Sequence, residues 1–371
     1  MRGRDVVLAA LVAAVVVTGC GSGSGDDDLP AAGSPPASPT RTQSPTPTPT
    51  PTPTPPPRPI TLAFAGDVHF EGELRPRLDD PATALAPIAP QLSAADLTIV
   101  NLESSVGTSG DPEPGKEFTF QAPPTALTAL QAAGVDVATM ANNHGMDFGP
   151  EGLADTLAAR TTVPGLDVVG VGANIDEAFA PAIREIDGTT VAVIGASVPD
   201  DPVGDPTGHW AATATTAGVA TALDPAALLA AVAAAKSQAD VVVVYLHWGN
   251  QGEGCPSESQ RSLASALAAD ADIVVGAHTH QLQGSGLAPV GEAYVAYGLG
   301  NFVWYTQRSE ITTVTGVLTL TVENGAVTAD DWAPARIGDD GLPAFATGGR
   351  ADEMIAGQAA LRECTDLRPL P

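Results

Sequence analysis

A chain of 371 residues with 44% hydrophobic side chains is long enough for one large domain and too apolar to be wholly disordered. Lys and Arg number 16 against 43 Asp and Glu, and the resulting net charge of −27 repels nucleic acid and anionic lipid headgroups. Three Cys exclude a cysteine-rich zinc module, and 4% aromatic residues are few for a protein that stacks on sugars or bases.

Met1 to Arg4 carries two Arg, and an apolar run follows from Val6 to Val17. That run has the length of a signal-peptide core and is short for a membrane span. It ends Val17-Thr18-Gly19-Cys20, and small residues before a Cys resemble a bacterial lipoprotein cleavage site. Residues 1–19 are expected to be removed as a signal peptide. Cys20 is expected to be lipidated, anchoring the protein at the extracytoplasmic face of the cell membrane. Residues 21–58 read as a linker: Asp26-Asp27-Asp28 opens it, and Thr-Pro repeats fill it from Ser44 to Pro57. Such composition buries no core and favours extended polyproline II at ~3.1 Å per residue.

From Pro59 apolar strands alternate with helix-like runs. Ile60–Ala65, Leu97–Val100, Val135–Met140, Val168–Val171, Thr190–Ile194, Val241–Leu246 and Ile273–Val275 read as strands. Pro123–Ala133, Pro150–Ala159, Pro225–Ala235 and Ser257–Ala269 read as helices, with Pro150 and Pro225 suited to a first turn. Purely apolar strands between helices predict an α/β protein with its sheets covered on both faces. Ala293–Tyr297, Thr312–Val322 and Ala326–Pro334 read as antiparallel strands, with Glu323-Asn324-Gly325 as a hairpin turn. One domain over 59–340 with a C-terminal tail over 341–371 is the expected organisation.

Five of the six His follow an apolar strand directly: His69, His144, His247, His278 and His280. Asp67, Asn101, Glu103, Asn142, Asn143 and Asp147 share these strand ends, the edge that lines the active crevice of α/β folds. Imidazole and carboxylate are the preferred ligands of divalent transition metals. Asp67-Val68-His69 and His278-Thr279-His280 have i, i+2 spacing, which on an extended segment puts both side chains on one side. Each pair can grip one ion or two neighbouring ions, Glu103 offers a bridging carboxylate, and Asn143 offers a carbonyl oxygen. That set suffices for two divalent ions such as Zn, Mn or Fe. No G-x-S-x-G elbow, GxxxxGKS loop or GxGxxG is present.

Gly66-Asp67-Val68-His69, Asn101-Leu102-Glu103, Asn142-Asn143-His144-Gly145-Met146-Asp147-Phe148-Gly149, His247-Trp248-Gly249, Gly276-Ala277-His278-Thr279-His280 and Tyr297-Gly298-Leu299-Gly300-Asn301-Phe302 occur in a familiar order. Over about residues 60–305 the chain resembles the bacterial capsule synthesis, or poly-γ-glutamate biosynthesis, family. That family looks like a branch of the calcineurin-like metallophosphatases. The resemblance implies a four-layer α-β-β-α sandwich. It implies metal ligation by Asp67, His69, Glu103, Asn143, His247, His278 and His280, with His144 as general acid. Glu103 stands where Asp is usual, Asn250-Gln251 follows His-Trp-Gly, and Gly298 stands where Ser is common.

Other residues have plainer roles. His209-Trp210 reads as a packed loop rather than a lid, and Trp248 and Phe302 as wall or core residues. Lys116 and Arg261 are candidates to neutralise an anionic substrate, weaker than solvated or structural roles. With Cys20 lipidated, Cys255 and Cys364 remain, an even number in a compartment that permits disulfides. A bond between them would tie the tail to the loop after His247.

The residues favour an extracytoplasmic metal-dependent hydrolase of a phosphoester, or of an amide in an anionic polymer. The family resemblance also admits a non-catalytic, metal-binding partner in export or assembly of an anionic capsule polymer. Expected partners are an anionic polymer or phosphorylated substrate, the membrane through the lipid anchor, and polymer-synthesis membrane proteins. A solute-binding lipoprotein would need a second lobe, and no boundary for one is visible.

Overall fold

The computed structural model describes residues 58–199, 209–305 and 309–371. The expected signal peptide, Cys20 and all of the linker before Arg58 lie outside the described residues. Among the described residues no helix is long and apolar enough to cross a membrane.

β1 (Ile60–Val68), β2 (Leu97–Leu102), β3 (Val137–Thr139) and β4 (Asp167–Val169) lie side by side and parallel. Parallel neighbours need crossover connections. Helix α1 (Thr125–Ala132) makes one before β3, and α2 (Gly149–Ala159) makes the next before β4. The chain then builds a second sheet from β5 (Ala182–Ile186), β6 (Thr189–Pro199), β7 (Val241–Gly249), β8 (Ile273–Ala277), β9 (Ser285–Leu287) and β10 (Tyr294–Ala296). Its order is β9-β10-β8-β7-β6-β5. Helices α3 (Ala226–Lys236) and α4 (Glu258–Leu267) pack against it. The chain returns to the first sheet with β11 (Asn301–Val303), β12 (Val314–Glu323), β13 (Ala326–Ile337) and β14 (Pro343–Phe345).

Alternation along the strands makes the layers. Ile60, Leu62 and Phe64 of β1 share one buried cluster with Val191 and Val193 of β6, Val241, Val243 and Tyr245 of β7, and Ile273 and Val275 of β8. The intervening residues Ala63, Ala65, Ala192, Ile194, Val242 and Val244 belong to a separate cluster with helix residues Leu127, Leu153, Leu228, Val232 and Leu267. Two sheets therefore pack face to face with helices outside, the four-layer α-β-β-α sandwich.

Several sequence readings need adjustment. β10 runs parallel to β8, Ile273 opposite Tyr294, and antiparallel only to β9. β9 (Ser-Gly-Leu) is too short and glycine-containing to announce itself, so its role as the antiparallel partner was invisible. Pro225 is the N-cap of α3 rather than part of its first turn. The hairpin turn sits at Asn324 (φ 53°) and Gly325 (φ 81°), the left-handed pair that a tight turn requires. Past residue 340 the chain stays on the domain: β14 pairs with β13, and Arg368 exchanges backbone hydrogen bonds with Leu287 at 2.7 and 2.8 Å. A disulfide joins Cys255 to Cys364, with Cα atoms 5.8 Å apart.

The end of β1 is irregular where the site begins. Its register against β2 shifts between Phe64 and Asp67. A Cβ at Gly66 would lie 1.8 Å from the Gly300 carbonyl oxygen, so only glycine lets β1 pass the loop before β11. The shift frees the Ala65 carbonyl, which accepts from the Tyr245 hydroxyl at 2.7 Å. That bond pins the two sheets together immediately below Asp67. Tyr245→Phe leaves the buried carbonyl unpaired and is expected to cost about 1–3 kcal/mol. Urea unfolding should show a lower midpoint at unchanged slope; an unchanged midpoint would mean that the bond contributes nothing.

Candidate metal centre

Asp67 is the last residue but one of β1, Glu103 follows β2, Asn143 and His144 follow β3, His247 lies within β7, and His278 and His280 follow β8. Two groups of donor atoms come together: Glu103, His247 and His278, and Asp67, Glu103 and His280. Within each group all donor atoms lie within 4.8 Å of one another, and Glu103 belongs to both. His247 Nε2 lies 2.9 Å from Asn143 Oδ1, 2.9 Å from His278 Nδ1 and 3.6 Å from Glu103 Oε1. His280 Nδ1 lies 3.3 Å from Asp67 Oδ2.

Burial defines the electrostatics. Asp67, Glu103 and His247 are fully buried. Both Glu103 carboxylate oxygens and His278 Nε2 are buried without a hydrogen-bond partner. Desolvation, with help from Asp67, pushes the Glu103 carboxyl well above its ordinary range. Burial likewise holds the His247 imidazole well below its usual value and that of His278 down to about 3. Both rings are therefore neutral at neutral pH, the form that ligates metals. A paired set of carboxylates and neutral imidazoles with unsatisfied atoms turned inward suits a divalent cation.

The His278-Thr279-His280 segment does not have the extended geometry expected from its i, i+2 spacing. His278 (φ 91°) and His280 (φ 56°) both lie in the left-handed region, so their segment is a tight turn and not extended. The turn still brings both to Asp67, His278 through its backbone N–H at 3.2 Å. At the other pair, the register against β11 shifts between Asp67 and Val68, with the extra residue, Phe302, on β11. His69 falls in neither donor group. Its Nδ1 accepts from the Glu71 N–H at 3.0 Å, and its ring stacks on Phe120 at 4.8 Å and meets Trp304 edge-on at 4.1 Å.

His144 stands beside the donor groups. Its Nδ1 is 2.5 Å from Asp147 Oδ2 and its Nε2 is 3.7 Å from Glu103 Oε1. Phe120 stacks flat on its ring at 4.0 Å. Burial holds its pKa down to about 4 despite the opposing pull of Asp147. A cavity of about 300 Å³ opens here, walled by Phe118, Phe120, His144, His280, Trp304 and Tyr305. Aromatic residues are thus few but concentrated at this mouth, a grouping from distant segments that composition conceals.

Neither candidate cation lines this cavity. The Lys116 ammonium pairs with Asp147 and the Asn143 carbonyl and lies 5.1 Å from the Trp210 ring. Arg261 donates to the Cys364 carbonyl at 2.6 Å. Trp210, Trp248 and Phe302 are buried packing residues. Asp147 is the orienting residue that position alone did not reveal, since only the fold turns its carboxylate onto the His144 ring.

The raised Glu103 pKa has a sign that can be tested in the chelated, metal-free protein. Native Glu103 keeps its proton above the unfolded value of 4.5, so the native state binds more protons and its stability falls as pH rises. Glu103→Gln removes that dependence. Urea unfolding from about pH 5 to about pH 8 is expected to show the variant gaining on wild type as pH rises; a pH-independent difference would contradict it.

The family model described as bacterial capsule synthesis protein PGA_cap matches residues 61–306. The chain is 34% identical over 225 residues to the PGA biosynthesis protein CapA of Bacillus subtilis (strain 168), which covers 58% of this chain and 55% of that one. It is 28% identical over 291 residues to the capsule biosynthesis protein CapA of Bacillus anthracis, covering 72% of this chain and 68% of that one. A probable polyglutamine synthesis accessory protein of Mycobacterium tuberculosis is 31% identical over 195 residues, 51% of this chain and 50% of that one. The chain therefore spans about half to two thirds of the length of these curated relatives. Among solved structures, a phosphatase from Mycoplasma pneumoniae is similar at TM-score 0.46 and 13% identity, covering 80% of this chain and 97% of that one. A putative 5'-nucleotidase from Staphylococcus aureus is similar at TM-score 0.45 and 17% identity, covering 82% of this chain and 58% of that one. Because the family match covers well over half of the chain and every donor residue at the sheet edge, this chain belongs to the bacterial capsule synthesis PGA_cap family.

Proposed function

We propose that this protein is a lipid-anchored, extracytoplasmic, metal-dependent hydrolase of phosphoester type that serves capsule polymer synthesis. The observation that carries the metal dependence is Glu103, whose two buried carboxylate oxygens have no hydrogen-bond partner and face neutral imidazoles. Asp67, Glu103, Asn143, His247, His278 and His280 would hold two divalent ions, Glu103 being common to both donor groups, and His69 packs behind the aromatic wall against Phe120, Trp304 and Tyr305. When bound, such ions supply Lewis acidity at the phosphoryl group and ease the deprotonation of water.

The chain's own residues supply positioning and proton transfer. Asp147 takes the Nδ1 proton of His144 in a 2.5 Å hydrogen bond, which leaves Nε2 turned toward the cavity. Phe120 fixes the ring plane. His144 Nε2, protonated from solvent as the anionic phosphoester enters, gives that proton to the leaving oxygen as its bond to phosphorus breaks, while water forms the new P–O bond and releases a proton to solvent. The aromatic wall excludes water from one side of that transfer.

A binder of a polyanion is the weaker reading. Among the described residues no Lys or Arg lines the cavity. The Cys255–Cys364 disulfide supports a compartment outside the cytoplasm, where such bonds persist. Lipidation of Cys20 would then place the domain at the membrane on its Pro/Thr-rich linker.

A phosphoesterase screen of the metal-loaded protein tests the reading. His144→Ala is expected to lower kcat by about 100-fold or more while most of the metal is retained. Equal loss of metal and activity would mean that His144 serves as a ligand and not in proton transfer.

A further inference from the structure

His69 is fully buried next to the metal centre and belongs to neither donor group. Neighbours on several sides fix its ring. Its Nδ1 accepts from the Glu71 N–H at 3.0 Å, and the Trp304 and Tyr305 rings meet it edge-on at 4.1 and 4.7 Å. It stacks on Phe120, with centroids 4.8 Å and planes 18° apart. Phe120 in turn stacks on His144, at 4.0 Å and 10°. The three rings form one near-parallel chain that starts just past β1 and ends at His144.

The segments that carry these rings are tied by their backbones as well. Glu71 Oε1 accepts from the Gln121 N–H at 2.9 Å, and the Arg75 guanidinium donates to the Gln121 carbonyl. The Phe120 N–H donates at 2.6 Å to Asp147 Oδ2, the oxygen that meets His144 Nδ1. Phe120 therefore holds His144 twice, by its ring directly and by its N–H through Asp147.

We propose that His69 is a positioning residue that acts through the Phe120 ring on the ring of His144, and not a metal ligand. The part that His144 plays in proton transfer rests on the hydrolase reading above. An imidazole suits position 69 for two reasons: its flat face packs on Phe120, and its Nδ1 takes an N–H that a hydrocarbon side chain would leave without that partner. Leucine offers neither the plane nor the acceptor. A displaced His144 ring carries Nε2 away from the leaving oxygen, and misplacing a group that transfers a proton lowers kcat more than it weakens substrate binding.

The first test needs neither turnover nor metal. NMR of the histidine-labelled full chain, with the His144 signals assigned by their loss in His144→Ala, reads the ring current of Phe120 at His144. His69→Leu is expected to move those signals and His69→Phe to bring them back toward their wild-type positions. Signals unmoved in His69→Leu, or displaced as far in a folded His69→Phe, would overturn the proposal. The second test is hydrolysis of p-nitrophenyl phosphate by the metal-loaded protein, which also decides the matter if thermal melting shows His69→Phe unfolded. His69→Leu is expected to lower kcat about tenfold with KM within about twofold of wild type. On a Phe120→Leu background the same change should cost less than about twofold, because its effect passes through Phe120. Losses that multiply would overturn the proposal, as would a loss of bound Zn²⁺ in His69→Leu by elemental analysis, which would make His69 a ligand. A wild type that hydrolyses nothing would instead overturn the hydrolase reading, and the NMR signals would still decide whether His69 sets the His144 ring.

Discussion

A buried carboxylate with nothing to bond to is the constraint on which the rest of this site depends. Glu103 is removed from water, and neither of its oxygens has a hydrogen-bond partner. The ion pairs that Asp67 and Glu103 make are all to histidines, and burial keeps His144, His247 and His278 neutral. Of the rings paired with these two acidic groups, His144 and His247 thus bring no charge to balance them. Such an arrangement is costly in a metal-free core and becomes favourable when cations enter. Asn101, Asn142 and Asn301 beside these groups each have side-chain hydrogen bonds, while both Glu103 oxygens and His278 Nε2 have none.

The fold makes this constraint tolerable by fixing the edge where it occurs. Parallel strands from both sheets end at one side of the sandwich, and the Tyr245 hydroxyl joins the sheets directly beneath. Gly66 allows β1 to pass the Gly300 loop, which brings Asp67 opposite Asn301. His278 and His280 hold left-handed backbone conformations that cost of order 1–3 kcal/mol each and persist only where neighbours enforce them. Asp67 takes the His278 N–H, and Asn301 Oδ1 meets His280 Nδ1 at 2.8 Å. The disulfide at Cys255 and the capping box of Ser257 and Gln260 anchor the chain soon after His247. Strain at the metal edge is therefore held by rigid elements on each side.

The strands and the donor residues were legible because both are local signals. An apolar run that ends in Asp, Glu or His states its own position in an α/β sheet, as Val241–Leu246 followed by His247 does. Geometry beyond the strand end was not legible. Spacing alone made His69 a partner of Asp67, and it could not show that Phe120 and Trp304, from distant segments, pack against the His69 ring. Lys116 looked available for an anion because its sequence neighbours say nothing of Asp147. The low aromatic content concealed a wall drawn from residues 118–120 and 304–305, two segments that only the tertiary fold unites. Asn101 and Asn142 were visible as strand-end residues, but their mutual bond exists only once β2 and β3 pair in register.

Metal stoichiometry tests the central claim most directly. The protein is supplemented with Zn²⁺ or Mn²⁺, freed of loosely held ions, and its metal content measured by elemental analysis alongside Glu103→Ala. About two ions per chain in wild type and a marked loss in the variant are predicted for a pair of ions sharing one carboxylate. Less than one ion per wild-type chain, or an unchanged content in Glu103→Ala, would contradict the account.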